Sequence, residues 1–351
     1  MIPETISHAR AAPASEAELD ELLSRPTVRT VAAVRELGGN LLVLGAGGKM
    51  GPSLALLARR SFDAAELPHR VICVSRFSSA ATRALLESAG IETIACDLLD
   101  DGVLEGLPDV PNVVFMAGVK FGASTSPGIT WALNAYLPGL VADRYRAARI
   151  VALSTGNVYP LGPFDGGGST EDTPPAPVGE YAQSCLGRER MFEFVSERHG
   201  TRVALIRLNY ATDLRYGVLL DIATEVTNGE PVALDAGHVN TIWQGDANAA
   251  LLQAFAHCTS PANVVNVTGP ETVSVREVAR TLAELLGARE PSFTGTEQET
   301  ALLSNASRSH ELFGPPLVTL DELVEWTAAW VRAGGATLAK PTRFGVRNGV
   351  F

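Results

Sequence analysis

Lysine is almost missing from this chain. Of 351 residues only Lys49, Lys120 and Lys340 are lysines, and every other basic side chain apart from histidine is arginine. The 28 Lys and Arg residues face 39 acidic ones, for a net charge of −11, which argues against nucleic acid or an anionic membrane surface as partner. Cysteine is scarce too: Cys73, Cys96, Cys185 and Cys258 make no CxxC pair. Neither a disulfide framework nor a zinc site is expected, and a reducing cytoplasm is the natural compartment. The six histidines lack metal-ligand spacing, so no metal is expected. No apolar run reaches 18 residues, so no membrane span is expected. The first stretch holds Glu16, Glu18, Asp20 and Glu21, unlike a secretory signal or an Arg-rich transit peptide.

What is present is a hydrophobic fraction of 46%, enough for a sizeable core. Residues 1–38 form an extension. Ser15 and Glu18 have the spacing of a capping box, predicting a short helix from 16, and a second helical run from Thr27 ends at Gly38-Gly39. The pair is expected as a surface hairpin on the main domain. From residue 40 apolar runs at 40–45, 70–75, 91–96, 112–117, 149–155 and 202–209 alternate with helical runs at 49–60, 78–89, 128–147 and 178–199. That rhythm predicts an α/β fold with a doubly wound parallel sheet. The stretch 160–177 is rich in Pro and Gly and reads as a loop. Residues 39–210 are the expected nucleotide-binding domain, 211–333 a smaller, mainly substrate-binding region with helices near 215–228, 246–257, 274–287 and 319–333, and 334–351 a tail without periodicity.

Gly45-Ala46-Gly47-Gly48-Lys49-Met50-Gly51 follows the first strand and opens the next helix. Glycines at 45, 48 and 51 permit a tight turn, close approach of a pyrophosphate to the backbone, and close packing of helix on strand. The second strand ends Ser75-Arg76, with no carboxylate to take a ribose 2′-hydroxyl and a guanidinium where a 2′-phosphate would sit. NADP is therefore favoured, with NAD as the alternative. Asp97, followed by Leu98 at the end of the next strand, is placed to accept from the adenine amino group.

These features resemble the extended short-chain dehydrogenase/reductase family, the NAD(P)-dependent epimerase/dehydratase group, over about residues 40–333. Met116-Ala117-Gly118-Val119-Lys120 is similar to a stretch that lies under the cofactor in UDP-galactose 4-epimerases, and Asn134 falls where the family carries a structural asparagine. Leu153 to Tyr159 resembles the serine-rich strand end, Gly179-Glu180-Tyr181 the start of the catalytic helix, and Arg207-Leu208-Asn209-Tyr210 the turn after the sixth strand. Asn266-Val267-Thr268-Gly269 resembles the substrate-domain signature. The resemblance implies a Rossmann fold and an enzyme that oxidises, reduces, epimerises or dehydrates a hydroxyl/carbonyl centre of a sugar-like or nucleotide-sugar substrate. It assigns Tyr181 as acid/base, Thr155 with Ser154 as the orienting hydroxyls, and Asn209 to the cofactor wall. A homodimer pairing through 128–147 and 178–199 is expected by the same analogy.

One departure stands out. The family's lysine, four residues after the tyrosine, is Cys185 here. Its place on the tyrosine's helix face points it at the cofactor, as a small filler or a nucleophile. Arg188, on the same stripe, or Lys120, from the fourth strand end, could restore the positive charge, as could the oxidised nicotinamide itself. Arg188 could equally be a surface residue paired with Glu189 or Glu193. Lyase chemistry with Tyr181 or Cys185 as base, and a catalytically silent NADP-binding sensor, both stay open. His238 is either a pocket residue or a surface histidine.

Overall fold

The computed structural model describes residues 11–340 and 342–351. Seven strands form one parallel sheet: β1 Leu41–Leu44, β2 Val71–Ser75, β3 Glu92–Ala95, β4 Asn112–Phe115, β5 Arg149–Thr155, β6 Val203–Leu208 and β7 Asn263–Val267. Their order is β7-β6-β5-β4-β1-β2-β3, and every pairing is parallel. The chain leaves β1 toward β3 and then crosses back to β4, so the order reverses between β1 and β4. A crevice opens at the carboxyl ends of strands flanking such a point.

Period-two alternation divides the sheet between two cores. Leu41, Val43, Cys73, Val114, Val151, Ile206 and Val265 face one side with helices α2 (Val28–Arg35) and α3 (Gly51–Ala64). Leu42, Leu44, Ile72, Val113, Phe115, Ile150 and Leu205 face the other with Leu137, Val141 and Phe192. A third core holds the smaller lobe, built on Val218–Asn228, Val275–Leu286 and Leu320–Arg332. Each fully buried Leu, Val or Phe in these layers contributes about 1.5–3 kcal/mol.

Several expectations need correction. β7 was not anticipated: residues 263–267 form the edge strand on β6 rather than part of the smaller lobe. The N-terminal hairpin lies on the surface, but its inner face enters two cores rather than one. Helix α1 (Glu16–Leu23) buries Leu19 and Leu23 in the third core, while Val31 and Val34 of α2 enter the first. The Ser15 hydroxyl accepts from the Glu18 amide as expected, but the Glu18 carboxylate reaches the Ala14 amide, one residue beyond the box. The loop 160–177 contains a two-residue strand, Gly162–Pro163, paired with Thr300–Ala301.

Helix 128–147 is interrupted. Pro127–Trp131 and Leu137–Arg144 are α-helical, and Ala132–Tyr136 between them is a π turn that carries Asn134. Such turns often re-aim a functional side chain. Here Asn134 accepts from the Val119 amide (2.9 Å) and donates to the Val119 carbonyl (2.8 Å) and the Ser184 hydroxyl (3.0 Å). It locks the segment after β4 onto helix α4 (Gly179–His199), the helix that bears Tyr181.

Candidate active site

The glycine loop connects β1 to α3 at the crevice. Gly45 has φ +90°, and a Cβ there would stand 2.5 Å from the Ala117 amide nitrogen, so β1 and β4 could not approach as they do. On Gly47 a Cβ would meet the Ser75 hydroxyl at 2.5 Å, and on Gly51 the Ala46 carbonyl at 2.2 Å. Gly48 has only its own turn's Gly45 carbonyl nearby, at 3.4 Å, and leaves the cradle open. No side chain caps α3, whose N-cap is Met50. Its free amides and dipole fit a dinucleotide pyrophosphate. Above them lies a cleft of about 790 Å³ whose walls include Lys49, Gly118, Lys120, Thr155, Tyr181 and Asn209, within the range of a cofactor site.

Tyr181 stands in the first turn of α4 and reaches Thr155 at the end of β5. Its phenol lies beside Thr155, which shares the cleft wall, and its ring packs on Cys185. The Thr155 oxygen accepts from the Asn157 amide (3.2 Å) and side chain (3.0 Å), which leaves its own proton to donate. Burial pushes the Tyr181 phenol above its usual range and the neighbouring thiol adds to this, while the Arg188 charge and the Thr155 hydroxyl oppose it. Burial likewise raises the Cys185 thiol, 1% exposed, and Arg188 opposes that too. Raised by burial, this thiol lacks the depressed pKa of an activated nucleophile.

The missing lysine's charge is approached from two sides. Arg188 is 6% exposed, so it is not a surface residue. It donates to the Leu153 carbonyl (2.6 Å) and to Asn134 Oδ1 (3.2 Å), and a Cβ on Gly118 would stand 2.4 Å from its Nη2. Glu193 pairs with Arg190 instead. Lys120 projects from the segment after β4, with its ammonium 5.7 Å from the Tyr181 ring centroid and 4.2 Å from that of Phe351. Burial lowers its pKa to about 8. Lys49 lies 3.1 Å from the Tyr216 ring centroid, and burial with the nearby Lys120 and Lys340 charges brings it to about 7.

Ser154 does not join Thr155. Adjacent strand residues point to opposite faces, and the Ser154 hydroxyl is bonded to the Glu189 carboxylate. Glu189, fully buried, also receives Arg207 at 2.7 Å; Arg207 donates to the Tyr159 hydroxyl at 2.7 Å, and Tyr159 to Asn266 at 2.9 Å. This network ties β5, β6 and β7 to α4 beneath the tyrosine. Its signal in the sequence is Arg207, a charge within the apolar run of β6. At the adenosine end Arg76 is largely exposed, with a nitrogen 3.8 Å from Asp97; Asp97 accepts from the Leu99 amide, and Leu98 is buried in the core. Asn209 is buried, donating to Asn240 and the Leu302 carbonyl. His238 stacks on Phe164, 4.2 Å between centroids and 5° between planes, and lines a small side pocket. Among the described residues no group of acidic, His and Cys side chains is arranged to hold a metal, and no helix is long and apolar enough to cross a membrane.

Comparison with known proteins agrees with this geometry. No curated protein matches by sequence. Among solved structures, the dTDP-glucose 4,6-dehydratase DesIV double mutant from Streptomyces venezuelae, with NAD and DAU bound, superposes with a TM-score of 0.70 at 20% identity, covering 84% of this chain and 97% of that one. The UDP-glucose 4-epimerase of Thermotoga maritima with UDP-glucose gives 0.68 at 18%, covering 84% and 99%. MoeE5 in complex with UDP-glucose and NAD gives 0.68 at 20%, again covering 84% and 99%. These likenesses show a shared fold. The model of the NAD dependent epimerase/dehydratase family matches residues 41–211, the span from β1 to just past β6. Residues 41–211 of this chain are thus similar to the NAD dependent epimerase/dehydratase family.

Proposed function

We propose that the protein is an NAD(P)-dependent oxidoreductase or epimerase/dehydratase acting at a hydroxyl/carbonyl centre of a sugar-like substrate. The observation that carries this reading is the placement of Tyr181 and Thr155 together on the wall of the cleft that the glycine loop opens. A nicotinamide cofactor held by Gly45–Gly51 would exchange hydride with the substrate carbon. Tyr181 takes the proton of the substrate hydroxyl, or returns it, and Thr155 donates to the same oxygen. Arg188 favours the phenolate through its field, with three of its N–H groups held by the Leu153 carbonyl and Asn134. With Cys185 in the lysine's place, Arg188 and Lys120 together supply the missing charge.

For the cofactor we favour NADP over NAD, on Arg76 at the end of β2 and the absence of a carboxylate there, although the solved structures named above that carry a cofactor hold NAD. A homodimer is supported by apolar side chains left exposed on the two long helices, Ile129, Trp131, Tyr136 and Leu140 on one, Met191 and Phe194 on the other. The raised Tyr181 gives weight to a second reading, a silent NADP-binding sensor. One experiment separates the two. Purified protein is saturated with NADP or NAD and offered a panel of sugars, sugar acids and nucleotide sugars, with cofactor absorbance and product epimers followed. A substrate that is turned over by the parent chain but at least 10²-fold more slowly by Tyr181→Phe supports the enzyme. Equal turnover by Tyr181→Phe refutes the mechanism, and cofactor binding without any turnover favours the sensor.

A further inference from the structure

The chain's own last residues wall off the substrate side of the cleft. The Thr342 amide and hydroxyl both donate to Asp221, at 2.7 and 2.6 Å. Phe344 is buried in the third core. Arg347 donates to the Thr300 carbonyl and hydroxyl, both at 2.6 Å, and to the Asp235 carbonyl at 3.2 Å. Gly349 lies against the start of α4 so closely that a Cβ on it would stand 2.2 Å from the Val178 carbonyl oxygen. Phe351 is 6% exposed and sets its ring edge-on to Tyr181, with centroids 5.6 Å apart and planes at 80°. Behind this wall, beside His238 and Tyr210, about 50 Å³ is free, room for a few waters and no more.

The second observation is charge. All three lysines of the sequence line the same cleft, and the tail brings Arg343 to within 6.0 Å of the Phe121 ring centroid that Lys49 and Lys120 also approach. Among the described residues none of these four cations forms an ion pair. The nearby carboxylates are engaged, Asp20 and Asp213 by Arg215 and Asp221 by Thr342. In a chain of net charge −11, three unpaired lysines in one cleft, with Arg343 beside its Phe121 wall, mark a site for anions. A dinucleotide's pyrophosphate accounts for Lys49, next to the glycine loop. Lys120 stands instead against Tyr181 and Phe351, where the reacting compound must lie.

We infer that residues 342–351 restrict this site to a compact anionic hydroxyl or carbonyl compound, its phosphate or carboxylate paired with Lys120 and Arg343, and exclude a nucleotide-linked sugar. The inference rests on the function proposed above and narrows its substrate class. Phe344, Arg347 and Phe351 fill the space on this side of Tyr181 and leave about 50 Å³ among them, too little for a nucleoside diphosphate. A phosphate or carboxylate on the sugar itself finds Lys120 beside Tyr181, with Arg343 near the same Phe121 ring that Lys120 approaches.

Calorimetry on the full chain tests this. NADP or NAD is titrated first; the cofactor-saturated protein then receives glucose 6-phosphate, glucuronate, glucose and UDP-glucose in separate runs. The expected result is that the phosphate or the carboxylate sugar binds at least tenfold more tightly than glucose, and that UDP-glucose gives no signal. Lys120→Gln should weaken the anionic sugar about tenfold to a hundredfold. Phe351→Ala, and separately a chain ended after Lys340, should admit UDP-glucose; the first keeps the test valid if the second does not fold. UDP-glucose binding the intact chain as well as the opened variants overturns the inference, as does glucose binding as tightly as its anionic forms, or none of the four binding a cofactor-loaded protein. A chain that binds neither cofactor fails at the first titration, which strikes the underlying function and is told apart from these outcomes.

Discussion

Replacing Glu189 by alanine should unfold this protein more readily than any surface change. The carboxylate is fully buried and the Arg207 side chain is 4% exposed, with Oε2 to Nη2 at 2.7 Å and Oε1 to Nε at 3.0 Å. Removing one partner leaves a guanidinium in the interior with only the Tyr159 hydroxyl beside it, and also strips Ser154 of its acceptor. Loss of one member of such a pair costs about 3–5 kcal/mol. At about 2.1 cal/mol/K per residue, a 351-residue unit that melts as a whole loses about 4–7 °C in Tm. Circular dichroism melts of Glu189→Ala, Arg207→Leu and the Glu189→Leu/Arg207→Leu double variant give the readout. The double variant should recover most of the loss, because no unpaired charge remains. A drop below about 1 °C in Glu189→Ala, or a double variant as unstable as the two singles summed, would refute the reasoning.

Three further outcomes follow from other groups. Lys49 is brought down to about 7, so its ammonium is present below that pH and lost above it; since an anionic cofactor prefers the charged form, affinity should fall about tenfold between pH 6 and pH 8, and Lys49→Met should flatten that dependence in calorimetry. Glu225 is raised to about 7 by burial and by the Asp221 and Glu230 charges, with one oxygen lacking a hydrogen bond. A raised carboxyl stabilises below its unfolded value and loses that contribution as pH rises through its folded one, so Glu225→Gln should match the parent at pH 4.5 and exceed it by about 1 kcal/mol at pH 8 in urea unfolding, once solvent screening is allowed for. Arg76→Ala should weaken NADPH about tenfold or more while leaving NADH within twofold, by direct titration; equal effects on both would remove the case for NADP.

Much of the sheet was legible because each of its first six strands is a short apolar run between turn residues, and the observed limits differ by one or two positions. The seventh was not: Asn263-Val264-Val265-Asn266-Val267 carries two asparagines, and its first two residues are only half-buried, as befits an edge. Tyr181, Thr155 and Asn134 were placed by motif, and the structure brings the first two together. Local pattern misled for Ser154, which sits next to Thr155 in sequence and on the opposite face of the strand. Arg188 was ambiguous because the sequence offers two glutamates close by; in the fold Arg207 takes Glu189 and Arg190 takes Glu193. The tail had no periodicity to read, since its order comes from distant anchors, Asp221, Asp235 and Thr300.

The two N-terminal helices have a consequence for motion. Leu19 and Leu23 of α1 are sealed into the smaller lobe while Val31 and Val34 of α2 are sealed against the sheet, and Arg60 of α3 grips Ser24 between them at 2.8 Å. A rotation of one lobe on the other would have to bend the four-residue link between the helices, residues 24–27, and break the Arg60–Ser24 bond. The two helices thus make a short tether between the smaller lobe and the sheet, one end fastened in each core.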